Sequence, residues 1–274
     1  MRRYCPGNMG RIDDIFQSLR SVNMKAVMPF VCGGYPKPGQ LAETLKACEE
    51  GGASIIEVGI PFSDPIADGP VIASAMHEAL QAGVTPKSIF AEVAAARGNL
   101  GVGLVAMVSA SIVYRMGGPS GFAKAAKDAG FDGLIVPDAP LEESGELRDA
   151  ARAAGLTLSL LIAPTTPRER AMEIAKASTG FIYMLARGGI TGEQSELPDV
   201  SKRVAALREV TNLPIACGFG ISTKEHVAAV VKHADAAIVG SALVRRMGDA
   251  AKTNKYVPHE ARAFVRELAE GLHV

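Results

Sequence analysis

The chain alternates between short continuous apolar runs and longer stretches in which apolar residues recur every three or four positions. Runs of four to eight apolar residues are typical of strands buried on both faces, and the longer period is typical of helices that bury one face. The pattern predicts an amphipathic first helix, a buried strand over Ala26–Cys32, and a helix over Leu41–Glu50 that ends at two glycines. The apolar face of the first helix consists of Ile12, Ile15, Phe16 and Leu19.

One unit recurs along the chain: a helix, a short turn containing glycine or aspartate, and an apolar strand. Short apolar strands that alternate with helices favour a parallel sheet covered on both faces. About eight such units in about 250 residues favour a single α/β domain, a (β/α)8 TIM barrel with an extra N-terminal helix, over an open doubly wound sheet. The unit is found at 51–56, 129–136 and 233–239, and further strands are predicted at 102–107, 157–161, 181–185 and 214–217.

Composition limits the class of protein further. Hydrophobic residues occupy 48% of the 274 positions, which is enough for a barrel core, and no linker divides the chain, so we predict a single domain over 1–274. The 29 basic and 29 acidic residues cancel, which argues against a nucleic-acid or membrane-surface binder. No apolar stretch approaches the length of a membrane span or resembles a signal peptide, so neither membrane insertion nor export is expected.

The four cysteines lie far apart and show neither disulfide nor metal-ligand spacing. Free cysteines on strands and helices act as small hydrophobic residues, which indicates a reducing, cytoplasmic compartment. The five histidines form no ligand pattern either, so we expect no metal. The cysteines are Cys5, Cys32, Cys48 and Cys217.

The strongest chemical signal lies between Glu57 and Pro70. Glu57 stands at the end of an apolar strand, and Asp64 and Asp68 follow on a loop stiffened by prolines. Glu57 could instead pair with a lysine, and the two aspartates could simply form turns. Acids on apolar strands are rarely buried unmatched, and Glu57 and Asp68 belong to a strand end and the loop that it feeds. We therefore favour acid–base catalysis by these two residues.

Glycine-rich turns follow the two last predicted strands. One turn contains Gly220 and leads to a helix with a predicted capping box of Ser222 and Glu225, and the other contains Gly240 and Ser241. Glycines allow backbone N–H groups to approach an anion at a helix N-terminus. Each turn alone is a common tight turn, but two of them on adjacent strands favour a phosphate site.

A third glycine-rich segment, 187–192, follows the sixth predicted strand. It is either a lid over the site or a surface turn. Tyr183, on the strand before it, either belongs to the core or points its hydroxyl into the site.

The run from Glu57 to Pro70 resembles the signature of the tryptophan synthase alpha chain family, and the resemblance extends from about Met9 to the C-terminus. It implies a lyase that cleaves indole-3-glycerol phosphate to indole and glyceraldehyde 3-phosphate. The chain would act as the alpha subunit of an alpha2-beta2 heterotetramer, in which the beta chain carries pyridoxal phosphate and this chain carries no cofactor. Because residues 1–8 precede the usual family start, they are expected to form a flexible extension.

The resemblance also implies a role for each matching residue. Glu57 would be the general acid and base, and Asp68 would stabilise positive charge at the ring nitrogen. Burial on an apolar strand raises the pKa of a carboxyl group, which suits Glu57, whereas the wetter loop suits an ionised Asp68. Tyr183 would stand beside both acids, Phe30 would pack on the indole, and Thr191 would bond Asp68 when the lid closes. The phosphate cradle would consist of Gly192, Gly220, Gly240 and Ser241, with Phe219 beside it.

Two departures from the family concern the loops around the site. Ser109 and Ser111 stand where a tyrosine and an asparagine are usual, and Gly188 replaces a serine or threonine. The first loop faces the beta chain in the family, so we expect a beta chain to bind the face that holds Asp64 and 109–113. A stand-alone lyase that releases indole and a catalytically degenerate regulatory subunit are the alternatives, and a sugar-phosphate isomerase barrel is disfavoured.

Overall fold

Short parallel strands alternate with helices throughout the computed structural model, which describes residues 10–65, 68–186, 199–218 and 220–273. The strands are β1 Ala26–Cys32, β2 Ile55–Gly59, β3 Gly103–Met107, β4 Gly133–Ile135, β5 Thr157–Leu158, β6 Leu161–Ile162, β7 Ile182–Leu185, β8 Ile215–Gly218 and β9 Ala236–Val239. The helices are α1 Arg11–Ser21, α2 Leu41–Glu50, α3 Pro70–Gln81, α4 Pro86–Arg97, α5 Ala110–Arg115, α6 Gly118–Ala129, α7 Gly145–Ala153, α8 Arg168–Ala177, α9 Ser201–Arg208, α10 Lys224–Val231, α11 Ser241–Lys252 and α12 Val257–Ala269. Short 3-10 turns lie at Leu141–Glu143 and Glu270–Leu272.

The sheet closes into a barrel through its fifth strand. All pairs are parallel, in the order β5-β4-β3-β2-β1-β9-β8-β7-β6. β5 and β6 are consecutive pieces of one strand, separated only by Ser159 and Leu160. Ser159 N donates to Leu134 O at 3.0 Å, and Tyr183 N donates to Leu160 O at 3.1 Å, so this strand bonds both of its neighbours. The predicted eight-stranded TIM barrel with an additional first helix is confirmed.

Most strand limits agree with the sequence prediction to within one residue, but β2 extends to Gly59, so Glu57 lies in the middle of this strand and not at its end as predicted. The strand Ala26–Cys32 and the helix Leu41–Glu50 are found with the predicted limits. The strand predicted at 157–161 is found in two consecutive pieces, because β5 pairs with β4 whereas β6, which extends to Ile162, pairs with β7. The expected extension at 1–8 lies outside the described residues.

Helix α1 closes the amino-terminal end of the barrel. Ile12 and Phe16 are buried among the inward-facing residues of the strands, and the rings of Phe16 and Phe181 lie 5.9 Å apart. Gly103 makes room for this helix, since a methyl group there would lie 2.6 Å from Ile12 Cδ1. With this end filled, the carboxyl ends of the strands remain as the place for a site.

Two similar polar clusters fix α1 to the strands. In each, an aspartate directly before a strand accepts a backbone N–H from the neighbouring strand and contacts an arginine of an outer helix and another of α1. The first set is Asp132 with Leu104, Arg97 and Arg11, and the second is Asp235 with Ile215, Arg208 and Arg20. The Arg11–Asp132 distance is 3.5 Å and the Arg20–Asp235 distance is 3.0 Å.

None of the helices in the described ranges is both long and apolar enough to cross a membrane. Within the same ranges, no three side chains of the types His, Cys, Asp and Glu are grouped as a metal ion would require.

Candidate active site

Glu57 lies inside the barrel on β2, between Phe30 of β1 and Val105 of β3. Its side chain has no exposed surface, and neither carboxyl oxygen has a hydrogen-bond partner within the described part of the chain. This burial raises the pKa of Glu57 to about 8. At neutral pH the group is therefore mostly a protonated acid, with a proton available to a molecule that enters the barrel.

Asp68 stands at the entrance to the same interior, directly before the N-cap of α3. Its backbone N–H donates to Pro65 O at 3.0 Å, and Pro70 begins the helix two residues later. The side chain is half-buried, and burial raises its pKa to about 6. Because this value lies below neutral pH, Asp68 is mostly ionised where Glu57 is mostly protonated.

Tyr183 brings a hydroxyl group to these two acids from β7. The side chain is buried, and its oxygen lies against Gly218, where a methyl group would approach to 2.6 Å. Burial raises the pKa of Tyr183 well above its ordinary value, and the negative charges of Glu57 and then Asp68 raise it further. The hydroxyl thus stays protonated, and the structure brings Glu57, Asp68 and Tyr183 together.

Phe30 forms an aromatic wall next to Glu57. The two residues pair across β1 and β2, and a methyl group on Gly59 would lie 2.4 Å from the tip of the Phe30 ring. The glycine therefore allows the tip of the ring to approach the end of β2 closely. Its other apolar neighbours are Cys32, Ile72, Ala75, Met76 and Val244.

Gly240 and Ser241 form the start of α11, at the carboxyl end of β9. Among the described residues, a methyl group on Gly240 would meet only Phe30 Cβ, at 3.7 Å, so they leave the space in front of this helix end open. Gly220 follows β8 with a φ of +82°, a left-handed conformation that favours glycine. The two predicted glycine-containing turns thus stand at the ends of the adjacent strands β8 and β9.

Thr191, Gly192 and Phe219 lie outside the described residues.

The capping prediction for α10 is wrong by one residue. Thr223, not Ser222, is the N-cap, and its hydroxyl accepts the His226 N–H at 3.3 Å. Thr223 has the extended backbone that an N-cap requires, whereas the Ser222 hydroxyl lies 3.4 Å from His226 Nδ1.

A small cleft of about 40 Å³ opens next to Asp68, between the loops that follow β2, β3 and β4. Asp138, which the sequence reasoning missed, organises one side of it. Its carboxylate accepts the Ser109 hydroxyl at 2.7 Å and the Ala110 N–H at 2.9 Å, which fixes the start of α5. The sequence contains a signal that could have identified Asp138, because this residue follows an apolar strand and has prolines on both sides, as Asp64 does. The lining includes Ile60, Phe62, Asp64, Met76, Met107 and Ser109.

Comparisons with known proteins agree with this geometry. The sequence model of the family described as tryptophan synthase alpha chain matches residues 16–273. The tryptophan synthase alpha chain of Synechococcus sp. (strain CC9902) is 42% identical over 255 residues, covering 92% of this chain and 94% of the relative. That of Prochlorococcus marinus (strain MIT 9313) is 43% identical over 259 residues, covering 94% and 93%.

Solved structures give the same result. Tryptophan synthase subunit alpha from Legionella pneumophila str. Paris superposes with a TM-score of 0.89 at 29% identity, over 97% of this chain and 99% of that one. A Mycobacterium tuberculosis tryptophan synthase chain superposes with a TM-score of 0.88 at 33% identity, over 97% and 100%. With its site at the carboxyl ends of the barrel strands, this chain belongs to the tryptophan synthase alpha chain family, the indole-3-glycerol-phosphate lyases of tryptophan biosynthesis.

Proposed function

We propose that Glu57 and Asp68 are the catalytic residues with which this chain cleaves indole-3-glycerol phosphate to indole and glyceraldehyde 3-phosphate. The observation that carries the proposal is the pair of carboxyl groups in different surroundings. Glu57 is fully buried without a partner and its pKa lies near 8, whereas Asp68 is half-buried and its pKa lies near 6. One group can therefore hold a proton while the other holds a charge.

The reaction needs both states. Glu57 gives its proton to the ring carbon that bears the glycerol phosphate chain, and Asp68 stabilises the positive charge that forms at the ring nitrogen. Glu57, now ionised, accepts the proton of the adjacent chain hydroxyl. As that hydroxyl becomes an aldehyde, the carbon–carbon bond breaks and its electron pair returns to the ring, which leaves indole and a reprotonated Glu57.

The remaining predicted residues hold the substrate around these two acids. Phe30 offers an apolar ring beside Glu57, and Tyr183 directs a protonated hydroxyl toward the same space. Gly220, Gly240 and Ser241 supply backbone N–H groups and a helix N-terminus for the phosphate. Gly192, Thr191 and Phe219 are proposed partners of the phosphate and of Asp68 on the strength of the resemblance alone.

We also propose that the chain works as the alpha subunit of an alpha2-beta2 heterotetramer in the cytoplasm, with pyridoxal phosphate held by the beta chain. Structures of tryptophan synthase from M. tuberculosis are among the solved neighbours, one of them an aminoacrylate-bound form. The proposed contact face carries Asp64 and 109–113, and Tyr114 on α5 adds an exposed aromatic ring to it. Cys32, Cys48 and Cys217 are free and buried, which fits a reducing compartment.

The test is indole release from indole-3-glycerol phosphate, with and without a cognate beta chain. Wild type should cleave, and Glu57→Gln should abolish cleavage because an amide cannot donate an acidic proton. Asp68→Asn should slow the reaction by about a hundredfold or more, through loss of charge stabilisation. Glu50→Gln, on the outer helix α2 where Glu50 pairs with Arg262, is the matched control and should behave as wild type. A Glu57→Gln variant that cleaves at the wild-type rate would refute the assignment.

A further inference from the structure

Arg203, on the outer helix α9, reaches the carboxyl end of strand β7. Its Nη1 donates to Leu185 O at 2.8 Å and to Ala186 O at 3.4 Å. Leu185 is the last residue of β7, two positions after Tyr183. The guanidinium group therefore contacts the backbone two residues after Tyr183, a residue of the candidate site.

The strand pairing explains why an arginine is needed there. Tyr183 pairs with Leu161, and Tyr183 N donates to Leu160 O. If this parallel ladder continued by two residues, the donor to Leu185 O would be the N–H of residue 164. Residue 164 is a proline, which has no N–H, and the chain has already turned away, because Ala163 N donates to the Thr166 hydroxyl at 3.0 Å. Arg203 supplies the donor that the neighbouring strand lacks.

The arrangement also carries a cost in stability. Arg203 is half-buried, and its Nη2 is buried without a hydrogen-bond partner within the described residues. An apolar side chain at this position would avoid the cost of that unpaired donor but would leave Leu185 O without its donor. Places where a sequence departs from such rules are often functional.

The hydrogen bonding at the end of β7 continues to β8. Ala186 N donates to Gly218 O at 2.9 Å, and Gly218 is the residue against which the Tyr183 hydroxyl lies. Arg203 thus fixes both carbonyls at the end of β7, next to the contact that determines where this hydroxyl stands.

We propose that Arg203 is a positioning residue for the lyase reaction: by completing the hydrogen bonding at the end of β7, it holds the Tyr183 hydroxyl beside Glu57 and Asp68. The inference rests on the proposed function of those two acids. It assigns a role in the reaction to a side chain on the outside of the barrel, which does not contact the substrate.

The experiment compares Arg203→Met and Arg203→Lys with Arg208→Met. Arg208 is the matched control, since it is also half-buried on α9 and its Nη1 also binds a backbone carbonyl, Leu213 O at 3.0 Å. It lies, however, at the amino-terminal end of the barrel, next to Asp235. The steady-state kinetics of indole release, inhibition by inorganic phosphate and thermal unfolding are measured for each full-length variant.

Arg203→Met should lower kcat between about tenfold and a hundredfold, because small displacements of reacting groups have effects of this size. The inhibition constant of inorganic phosphate should stay within about twofold, and KM should change less than kcat, because the proposed phosphate-binding backbone at Gly220 and Gly240 follows other strands. Arg203→Lys should recover part of kcat by restoring one donor. Arg208→Met should lower Tm at least as much as Arg203→Met does and keep the wild-type kcat.

Two results would overturn the inference while the proposed function stands. One is a wild-type kcat in Arg203→Met; the other is a loss of kcat in Arg208→Met equal to that in Arg203→Met, which would make both effects purely structural. A wild-type chain that releases no indole, alone or with its beta chain, would instead overturn the proposed function and this inference with it.

Discussion

Glu57 and Asp68 show how surroundings divide two chemically similar side chains into different roles. Glu57 belongs to a strand with a barrel interior on one side and helices on the other, so water cannot reach it. Asp68 belongs to the loop that leaves this strand, where part of its carboxylate remains exposed. Burial raises the pKa of Glu57 to about 8 and that of Asp68 only to about 6, which is the order that the proposed reaction requires.

The first prediction at this scale is a bell-shaped pH dependence of kcat/KM. Asp68 must be ionised, so activity should fall as the pH decreases through about 6, and Glu57 must be protonated, so activity should fall as the pH increases through about 8. Steady-state kinetics between pH 5 and 9.5 would show both limbs. In Asp68→Asn the acidic limb should disappear from the residual activity. A profile in which activity keeps rising to pH 9 would contradict the role of Glu57 as an acid.

The second prediction is that Glu57→Gln makes the protein more stable although it is inactive. A carboxyl group whose pKa is raised on folding binds its proton more tightly in the folded state. Stability therefore falls as the pH rises from the unfolded pKa, about 4.3, to the folded value of about 8. At pH 7 this loss is on the order of 3 kcal/mol, and the amide does not suffer it. Denaturant unfolding at pH 5 and pH 7.5 should show a gain for the variant that is larger at pH 7.5; an equal effect at both pH values would exclude this cause.

At the scale of elements, the site depends on strand ends and helix starts that meet at one end of the barrel. β2 supplies Glu57, β7 supplies Tyr183, and the start of α11 supplies the open backbone at Gly240. β7 is also held from outside the barrel, because α9 binds its last carbonyl through Arg203. The opposite end of the barrel is filled by α1.

Gly240→Ala should separate phosphate binding from folding. The residue has a negative φ of −108°, and a methyl group would meet only Phe30 Cβ, at 3.7 Å, among the described residues, which therefore leave room for it. The same methyl group would stand in front of the N-terminus of α11 and keep an anion away from it. KM should rise about tenfold or more with Tm nearly unchanged. Gly98→Ala is the control, because Gly98 has a φ of −63° and open space around it, at the end of α4. An unchanged KM in Gly240→Ala would remove this helix from the phosphate site.

At the amino-terminal end of the barrel, the contributions of Asp235 and Asp132 to stability should change in opposite directions as the pH falls. Hydrogen bonds from Arg20, Arg208 and Ile215 lower the pKa of Asp235 despite its burial, whereas burial dominates at Asp132 and raises its pKa. The stability contributed by Asp235 is present above its unfolded pKa of about 3.9 and is lost as the pH falls through the lower folded value. Asp235→Asn should therefore lower Tm at pH 7 more than at pH 3.

Asp132→Asn is the comparison for Asp235→Asn. It removes a carboxylate that also stands before a strand and contacts two arginines, but its ion pairs are longer, 3.4 Å to Arg97 and 3.5 Å to Arg11. Its effect on Tm at pH 7 should be the smaller of the two. A larger loss from Asp132→Asn would mean that the arginine contacts do not govern the stability of this end.

Local patterns were sufficient for the elements whose limits are determined by nearby residues. The apolar run at Ala26–Cys32 and the glycines after Leu41–Glu50 fix those elements from within. The break between β5 and β6 depends on two neighbouring strands and leaves no local signal. The choice of Thr223 over Ser222 as N-cap depends on backbone conformation, since both residues carry a hydroxyl. Arg203 escaped detection because its acceptors lie 17 and 18 residues away on another element.

On the scale of the whole molecule, the barrel leaves no strand without two neighbours among the described residues, because the fifth strand bonds β4 on one side and β7 on the other. We propose on this ground that residues 1–274 form a single domain, since removing any unit would open the sheet. The loops after β2, β3 and β4 lie together at the edge of the site end, where the cleft next to Asp68 opens. A partner bound there would contact the loop that carries Asp68.

The final prediction concerns that partner. Asp64 is exposed, its carboxylate accepts only the neighbouring Ser63 hydroxyl, at 2.6 Å, within the described part of the chain, and the proposed cleavage gives it no task. It is therefore most simply a contact residue for the beta chain. Adding the cognate beta chain should raise the rate of indole release, because a bound partner fixes the loop that ends at Asp68 and excludes water from the site.

Asp64→Ala should remove much of that gain and leave the rate of the isolated chain unchanged. Asp14→Ala is the matched control, since Asp14 is an exposed aspartate on α1, at the closed end of the barrel. It should respond to the beta chain as wild type does. Titration of each variant with the beta chain, with indole release as the measurement, gives both the gain and the affinity. If the isolated wild-type chain already turns over rapidly and the beta chain changes nothing, the chain is a stand-alone lyase, and the face that holds Asp64 and 109–113 has no role in its activity.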